Sequence, residues 1–250
     1  MPARNYRQKT TGQKVKGVTT ILSLLDKPAL IWWGYKQGMD NFDRLMGQIA
    51  EFAKRPDLDG FSRELGEMIQ NFKQTTLYDK RDRAADAGTL AHTMVEHHLQ
   101  GMDVPDTKGM DKAVVEKAEG CFLTFLDWQK ANQIKVLASE VELTSENLPY
   151  GGTIDHVIIS ALTPQDRVDI LDIKTGKDIY LEAKLQVRAY KPLWEEHHPN
   201  ALVAGFHIVR LGPTGEFTHK YFPSLDDKYF EIFTSLLNVS ETLNILGEKL

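Results

Sequence analysis

Two stripes of apolar residues with helical spacing stand out in the first half of the chain. The earlier stripe, between about 82 and 100, consists of Leu90, Ala91, Met94, Val95 and Leu99. The later stripe, between about 111 and 132, consists of Val114, Ala118, Cys121, Phe122, Phe125 and Trp128. Intervals of three and four place each set on one face of a helix, and Gly101 follows the earlier set where a helix would end. The pattern therefore predicts two amphipathic helices.

After residue 134 the pattern changes to alternation and short apolar runs. Strands are predicted at 135–143, 152–160, 167–176, 202–211 and 216–222, with helices at about 179–196 and 225–247. The last two strands are close enough in sequence to form a hairpin across GPTG. Three consecutive strands followed by a helical crossover imply a mixed sheet with helices packed on it. We therefore expect an α/β fold.

The N-terminal third has a less regular pattern, and we expect it to be helical. In VTTILSLLDKPALIWWGYKQG, Pro28 separates two short predicted helices, and RPDLDG near residue 58 is typical of a turn. No composition change marks a linker between this part and the rest. The expected organisation is an N-terminal helical extension over 1–80 and a core over 81–250, within one compact domain.

Composition narrows the function classes. The chain has 250 residues, of which 42% are hydrophobic and 26% charged, as in ordinary globular proteins. No apolar run is long enough to span a bilayer and no secretory leader is evident, so we expect a soluble protein without a membrane partner. The single Cys121 cannot form an internal disulfide or hold an iron–sulfur cluster.

Charge is distributed unevenly along the chain. The net charge of −5 argues against a protein that coats nucleic acid over its whole surface. Residues 1–25, however, contain no acidic residue. Their basic residues are Arg4, Arg7, Lys9, Lys14 and Lys16. Three interpretations are open: local contact with phosphates, a disordered tail, or an organellar transit peptide. The transit peptide is disfavoured, because LSLLDKPALIWW follows at once and is typical of folded protein.

Two charged residues interrupt the apolar segment DILDIKTG. Asp172 and Lys174 are two positions apart on a predicted strand, so their side chains leave the same face. Charges among apolar neighbours are costly unless they pair or bind something. By spacing alone, a strand-end salt bridge before the turn at Gly176 is the favoured interpretation.

Asp155 interrupts the apolar strand GTIDHVIIS, one hairpin before Asp172. Opposite side chains of adjacent antiparallel strands lie only about 5 Å apart, so the two carboxylates would repel each other and have raised pKa values. A divalent cation between them removes that penalty, and hard oxygen ligands favour Mg²⁺ or Mn²⁺ over zinc. This pair shifts the interpretation toward a metal site.

Three further groups have two interpretations each. Glu140 and Glu142 alternate with Val141 and Leu143, so one glutamate could reach the metal or both could face solvent. His92 and Glu96 share a helix face, next to His97 and His98, but this spacing is weak as a ligand pattern and differs from HExxH. Gln186 and Tyr190 lie one turn apart, and their pattern alone favours a polar helix edge with Tyr190 in the core.

Together these motifs resemble the PD-(D/E)XK nuclease superfamily, in particular its RecB-like, phage-type exonuclease branch. The resemblance rests on AGTLAHTMVEHHL, GGTIDHV, DILDIKTGK and LQVRAY, which follow one another in that order over residues 87–190. It implies a restriction-endonuclease-like αβββαβ core. The proline of the motif name is absent before Asp155, as is common in this branch.

The resemblance also implies residue roles. Asp155, Asp172 and His92 would hold Mg²⁺ or Mn²⁺ with the backbone carbonyl of Ile173, and Glu140 or Glu96 would be additional acidic candidates. Lys174 would be the catalytic lysine, which either orients or deprotonates water or neutralises the transition state. Gln186 and Tyr190 would shape the site and contact nucleic acid.

The expected protein is a metal-dependent deoxyribonuclease, most simply an exonuclease in DNA processing or recombination, cytoplasmic and encoded by a bacterium or phage. Its substrate partner would be DNA. Two other functions are compatible with the sequence: a non-catalytic nucleic-acid-binding module on the same fold, and a small-molecule metallohydrolase that uses His92, His97 and His98.

Overall fold

A computed structural model of the chain describes residues 5–25, 28–54, 61–74, 77–174, 178–211 and 217–248. The strands are β1 (Tyr6–Arg7), β2 (Lys14–Gly17), β3 (Lys135–Thr144), β4 (Tyr150–Ile159), β5 (Arg167–Lys174), β6 (Leu202–Leu211) and β7 (Phe217–Phe222). The helices are α1 (Val18–Leu22), α2 (Pro28–Ala53), α3 (Phe61–Gln74), α4 (Leu77–Gln100), α5 (Lys112–Ala131), α6 (Leu181–His197) and α7 (Asp227–Leu246). These elements form an α/β protein.

The chain divides into two compact units. One unit combines Met1–Leu25 with Ala87–Leu250, and the other is Asp26–Asp86. In the second unit α2 and α3 contact each other. The prediction of two short helices around Pro28 is wrong for the second of them, because α2 begins at Pro28 and continues for 26 residues. Proline is well tolerated at the first helical position, where its missing N–H has no partner to lose. The predicted turn near residue 58 lies outside the described residues.

A seven-stranded mixed sheet forms the centre of the larger unit. Its strand order is β1-β2-β4-β5-β6-β7, with β3 paired to β4. The predicted order of three strands, helix, two strands and helix is confirmed, and the β6–β7 pairing is antiparallel. Parallel pairing of β5 and β6 requires a crossover, which α6 supplies. Among the helices in the described ranges, none is both long and apolar enough to cross a membrane.

Helices cover both faces of this sheet. Alternation along β5 directs Ile170 into one apolar cluster and Leu171 into another. The first cluster includes residues of α1, α6 and α7, and the second includes residues of α4 and α5. Both faces are therefore buried, which explains why β5 and β6 have nearly continuous apolar sequences.

The basic N-terminal segment joins the sheet through β1 and β2. β1 and β2 form an antiparallel hairpin, and β2 pairs in parallel with the start of β4. Gln8 donates to the carbonyl of Ser145, and Glu146 accepts from the backbone amides of Lys9 and Thr10. The disordered-tail interpretation is therefore wrong for this part of the segment, while Arg4 lies outside the described residues.

β4 changes partners along one of its edges. β3 pairs with β4 from Gly151 to Ile159, so β2 and β5 share the opposite edge. β5 occupies the end of that edge, from His156 to Ile158, and β2 occupies its start, at Tyr150 and Gly151. Residues 152–155 lie between these two pairings. This gap in the ladder separates β4 from β5 at Asp155.

A buried polar cluster joins β5, β6 and β7 away from that gap. Asp169 Oδ2 accepts from Thr163 at 2.6 Å and Ser160 at 3.3 Å, and lies 3.1 Å from His207 Nε2. The other nitrogen of His207 lies 2.9 Å from His219 Nε2. Asp169 and His207 are both fully buried. Asp169 thus satisfies several donors that burial separates from water.

We expect Asp169→Ala to lower the free energy of unfolding by about 3 kcal/mol, because it leaves buried donors without their acceptor. Asp127→Ala is the matched control, since Asp127 is exposed on α5 and its loss should change stability by less than about 0.5 kcal/mol. Denaturant unfolding measures both variants. Equal stability of the two would contradict the structural role of the cluster.

Candidate metal centre

Asp155 lies where β4 and β5 separate. Its Oδ2 accepts from the backbone N–H of Ile173 at 3.3 Å, which replaces a ladder bond that the gap removes. The side chain is 16% exposed, so it is shielded without being sealed from solvent. This position between two strands lets one carboxylate interact with residues from both sheet faces.

His92 and Glu140 converge on Asp155. His92 Nε2 lies 3.7 Å from Asp155 Oδ2. One ligand atom from each of the three side chains lies within 4.8 Å of the others, a spacing that could hold a metal ion. His92 reaches this point because its neighbours Ala91 and Val95 are buried against the sheet. The three residues come from α4, β3 and β4, so only the tertiary fold brings them together.

Glu140 adopts an unusual backbone conformation. Its φ of 49° lies in the left-handed region, which costs about 1–3 kcal/mol for a residue with a side chain. Val141 and Leu143 pack against one apolar cluster as the alternation predicts, but Ala138, three positions before Val141, packs against the same cluster, so the alternation is interrupted at Glu140. The irregularity turns Glu140 toward His92 and leaves Glu142 exposed.

A hydrogen-bonded chain leads from β5 into α6. Lys174 Nζ donates to Asp172 Oδ1 at 2.8 Å and lies 2.8 Å from Oδ2. The same ammonium donates to Gln186 Oε1 at 3.1 Å, and Gln186 Nε2 donates to the Tyr190 hydroxyl at 2.9 Å. Because the Tyr190 hydroxyl accepts from Nε2, the orientation of the Gln186 amide is fixed and its oxygen faces Lys174.

Tyr190 depends on a glycine in β4. A Cβ built on Gly152 would lie 2.7 Å from Tyr190 Cε1, which no side chain tolerates. Gly152 was not among the candidates that the sequence suggested, although GG before TID is a visible signal of close approach. The glycine therefore lets the α6 tyrosine pack directly on the strand that carries Asp155.

The two aspartates have different electrostatic environments. Burial, with the charge of Asp155 added to it, raises the pKa of Asp172 to about 7, although Lys174 opposes the shift. Burial also disfavours ionisation of Asp155, but His92 and Lys174 outweigh it and lower the pKa of Asp155 to about 2. The prediction that both carboxyls have raised pKa values is thus wrong for Asp155, because two neighbouring cationic groups compensate its charge.

Nearby carboxylates raise the pKa values of both basic side chains, His92 and Lys174. The neighbouring Asp155 carboxylate raises the pKa of His92 although burial works against it. Burial lowers the pKa of Lys174, but Asp172 and Asp155 outweigh it and the net shift is upward. Lys174 is therefore an ammonium ion here, and its charge offsets part of the negative charge of the centre.

The remaining histidines of α4 make other contacts. His97 Nδ1 lies 2.7 Å from the carbonyl oxygen of Asp103, and His98 Nε2 lies 2.9 Å from Gln129 Oε1. Within the described residues, the group with ligand spacing contains His92 without either of them. Glu96 accepts from Gln100 and is also outside that group. The arrangement gives no support to the metallohydrolase that required all three histidines.

The basic candidates of the N-terminal hairpin differ in exposure. Arg7, Lys9 and Lys14 are exposed, whereas Lys16 donates to the carbonyl and hydroxyl of Ser240 on α7 at 3.0 and 2.7 Å. Arg7 and Lys14 are cross-strand partners in the hairpin. Like charges at paired positions repel each other, and a bound anion would remove that cost.

The residues present fit a divalent cation. One imidazole and two carboxylates supply nitrogen and hard oxygen donors within a small volume. Among the described residues, Asp172 lies outside that group, and its buried Oδ2, which is 2.8 Å from the Lys174 ammonium, accepts no hydrogen bond of good geometry. A cation held by His92, Glu140 and Asp155 would compensate the charges of the two carboxylates in that group.

Metal affinity should rise between about pH 6 and pH 8, because a ligand must lose its proton before it can coordinate. Burial raises the pKa of Asp172 to about 7, which places its proton competition within this interval, and the raised pKa of His92 acts in the same direction. Calorimetric titration with Mn²⁺ in buffers of different ionisation enthalpy measures both the affinity and the protons released. Asp172→Asn should remove part of that release. An affinity that stays constant across the interval would contradict the proposed ligand set.

Comparisons with known proteins give a distant structural likeness. No protein-family model matches the chain, and no curated protein matches it. A protein from Eubacterium rectale described as a proposed exonuclease is similar with a TM-score of 0.42 and 13% identity, over 62% of this chain and 65% of that one. The structure of SSO0001 has a TM-score of 0.32 and 13% identity, over 65% of this chain and 74% of that one. The chain thus spans under two thirds of the first protein, and neither likeness carries an argument about activity.

Proposed function

We propose that the chain is a Mg²⁺- or Mn²⁺-dependent deoxyribonuclease, and that it acts as an exonuclease in DNA processing or recombination. The observation that carries the proposal is the juxtaposition of two groups around Asp155. His92 and Glu140 meet it from one side, and the Lys174 ammonium influences it electrostatically from the other. A bound metal can polarise a scissile phosphate and activate a water, and a fixed lysine beside it can orient that water or neutralise developing charge.

Each side chain has a distinct part in the proposed reaction. A divalent cation bound by His92, Glu140, Asp155 and Asp172, with the carbonyl of Ile173 as a further ligand, would polarise the scissile phosphate and activate a water. Lys174 would orient that water or neutralise the charge that develops on the phosphate.

Gln186 and Tyr190 would set the position of Lys174. Because Gln186 accepts from the ammonium, Lys174 is restrained by contacts from both β5 and α6. Restraint of this kind matters, since a misplacement of about 1 Å at a reacting group can cost about 10²-fold in rate.

The exposed hairpin cations are the proposed substrate contacts. Arg7, Lys9 and Lys14 lie on the hairpin that pairs with the start of β4, the strand that carries Asp155. Phosphate contacts of this kind hold DNA without reading its sequence. Arg4 belongs to the same proposal, whereas Lys16 is already bound to α7 and is the weakest member of the set.

The test is incubation of the chain with end-labelled linear, circular and single-stranded DNA in the presence of Mg²⁺, Mn²⁺ or excess chelator. Cleavage should require the metal, because the cation would polarise the phosphate and activate the water, and the proposed ligands are mostly hard oxygens. Release of end nucleotides from linear DNA, with circular DNA left intact, is the expected exonuclease pattern. Full cleavage in excess chelator, or no cleavage with either metal, would overturn the proposal.

A further inference from the structure

The hairpin residue Tyr6 contacts β4 immediately before the metal centre. Its hydroxyl lies 3.0 Å from Thr153 Oγ1 in a buried contact, and the residue is 8% exposed. Thr153 is two positions before Asp155, inside the part of β4 that pairs with neither β2 nor β5 along that edge. Tyr6 thus reaches the strand at the point where its ladder is interrupted.

Two glycines make room for the Tyr6 ring. A Cβ on Gly17 would lie 2.8 Å from Tyr6 Cε2, and a Cβ on Gly151 would lie 2.8 Å from Tyr6 Cβ and Cγ. The ring therefore rests directly on backbone of β2 and β4. Such close packing against two strands restricts the ring and fixes where the hydroxyl points.

The neighbouring residue of β4 is held from the opposite side. Gly152 accommodates Tyr190, as Gly151 accommodates Tyr6, and successive residues of a strand face opposite sides of the sheet. Residues 151–153 are consequently clamped between two tyrosine rings. One of these rings belongs to the hydrogen-bonded chain that restrains Lys174, and the other has no part in the site described above.

The clamp opposes a competing arrangement of the strand. A regular β4–β5 ladder could continue past His156 and satisfy the Ile173 N–H with a backbone carbonyl in place of Asp155. In that arrangement the Asp155 carboxylate would lose its place between the strands. Contacts that hold 151–153 in the separated position therefore favour the arrangement in which Asp155 meets His92 and Glu140.

We infer that Tyr6 is a positioning residue of the metal centre, which keeps β4 apart from β5 and so fixes Asp155 opposite His92 and Glu140. The inference rests on the proposed function, because it assigns Tyr6 to the metal centre of that function. In this role Tyr6 acts through its contact with Thr153 and through the backbone that follows it.

The test compares two tyrosine-to-phenylalanine variants. Tyr6→Phe removes the hydroxyl contact and retains the ring in its slot. Tyr150→Phe is the matched control, because Tyr150 is also a buried tyrosine of the same neighbourhood, and its hydroxyl donates to the carbonyl of Ala189 at 3.0 Å. Both variants should lower the melting temperature to a similar extent, since each loses one buried hydrogen bond.

Metal affinity distinguishes the two variants. Calorimetric titration with Mn²⁺, which needs no DNA and no turnover, should show that Tyr6→Phe weakens binding by about tenfold or more, as is typical for residues that support metal ligands. Tyr150→Phe should bind Mn²⁺ as the wild type does. Thr153→Val should reproduce the loss, Thr153→Ser should restore wild-type affinity, and Tyr6→Phe combined with Thr153→Val should be no worse than either alone.

The outcomes separate this inference from the proposed function. Wild-type affinity in Tyr6→Phe, or an equal loss in Tyr150→Phe, would overturn the role of Tyr6 and leave the nuclease proposal standing. A wild-type chain that binds no Mn²⁺ would overturn both. Binding of Mn²⁺ without DNA cleavage would overturn the proposed nuclease while the affinities of the variants still decide the role of Tyr6.

Discussion

Replacing Lys174 with alanine is expected to reduce DNA cleavage by about 10²–10⁴-fold at saturating substrate, the usual contribution of a positioned proton-transfer group. DNA affinity should change little. One lysine among many phosphate contacts contributes only about one unit to the slope of log affinity against log salt concentration. The structure supports this division. The Lys174 ammonium is held by Asp172 and Gln186 beside the proposed metal ligands, and only 30% of its side chain is exposed.

The measurement pairs cleavage rates in Mn²⁺ with DNA affinities in Ca²⁺. Burial already favours the neutral form of Asp172, so loss of Lys174 should leave that carboxyl protonated and the chain folded, which the melting temperature checks. Lys135→Ala, at an exposed lysine that begins β3, is the matched control and should cleave normally. If Lys174→Ala cleaves DNA at the wild-type rate, Lys174 has no catalytic role and only forms a strand-end ion pair. The nuclease proposal would then be contradicted at its main residue.

A contrasting variant tests the hairpin. Arg7→Ala combined with Lys14→Ala should weaken DNA binding and reduce the slope of log affinity against log salt concentration by about two units. The cleavage rate at saturating DNA should stay close to that of the wild type. Loss of cleavage rate in Lys174→Ala and loss of DNA affinity in the hairpin double variant would assign the chemical step and substrate binding to different residues.

Asp155→Asn is expected to abolish metal-dependent cleavage. Asparagine has the shape of aspartate and keeps an oxygen that can accept from the Ile173 N–H, so the local fold should be retained. It lacks the charge that draws His92 and a cation to this point. Metal affinity should therefore fall by more than the roughly 10–100-fold typical of supporting residues, and cleavage by about 10³-fold or more.

Calorimetric titration with Mn²⁺ and single-turnover cleavage measure the two effects of Asp155→Asn. Asp166→Asn is the control, because Asp166 is exposed in the turn that connects β4 to β5. His92→Ala should give a smaller loss of metal affinity, since two carboxylates of the group remain. If Asp155→Asn binds Mn²⁺ with wild-type affinity, the ion is held elsewhere and the ligand set is wrong.

Much of the fold follows from local pattern. The predicted strands at 135–143, 167–176 and 202–211 lie within two residues of β3, β5 and β6, and the long helices at 82–100 and 111–132 correspond to α4 and α5. Alternation and helical spacing record which side of an element is buried, and burial dominates in these segments. The same reasoning placed Asp172 and Lys174 on one face of β5, where they form their ion pair.

The N-terminal hairpin shows where local pattern fails. β1 has two residues and β2 has four, which is too short for alternation to be recognised. Their strand conformation depends on pairing with β4, more than a hundred residues later in the chain, and on anchors such as Glu146. A segment of basic composition was therefore interpreted by its charge, although its place in the sheet is fixed by distant partners.

The sequence by itself determined the order of the elements from α4 onward, the apolar faces that they bury, and the strand that carries Asp172 and Lys174. Only the tertiary structure decided that β4 changes partners at Asp155, that Glu140 takes a left-handed conformation opposite it, and that His92 meets both. The physical reason is the range of the interactions. Periodicity reports the environment of each residue along one element, whereas a gap in a ladder arises from competition between distant strands for one edge of β4.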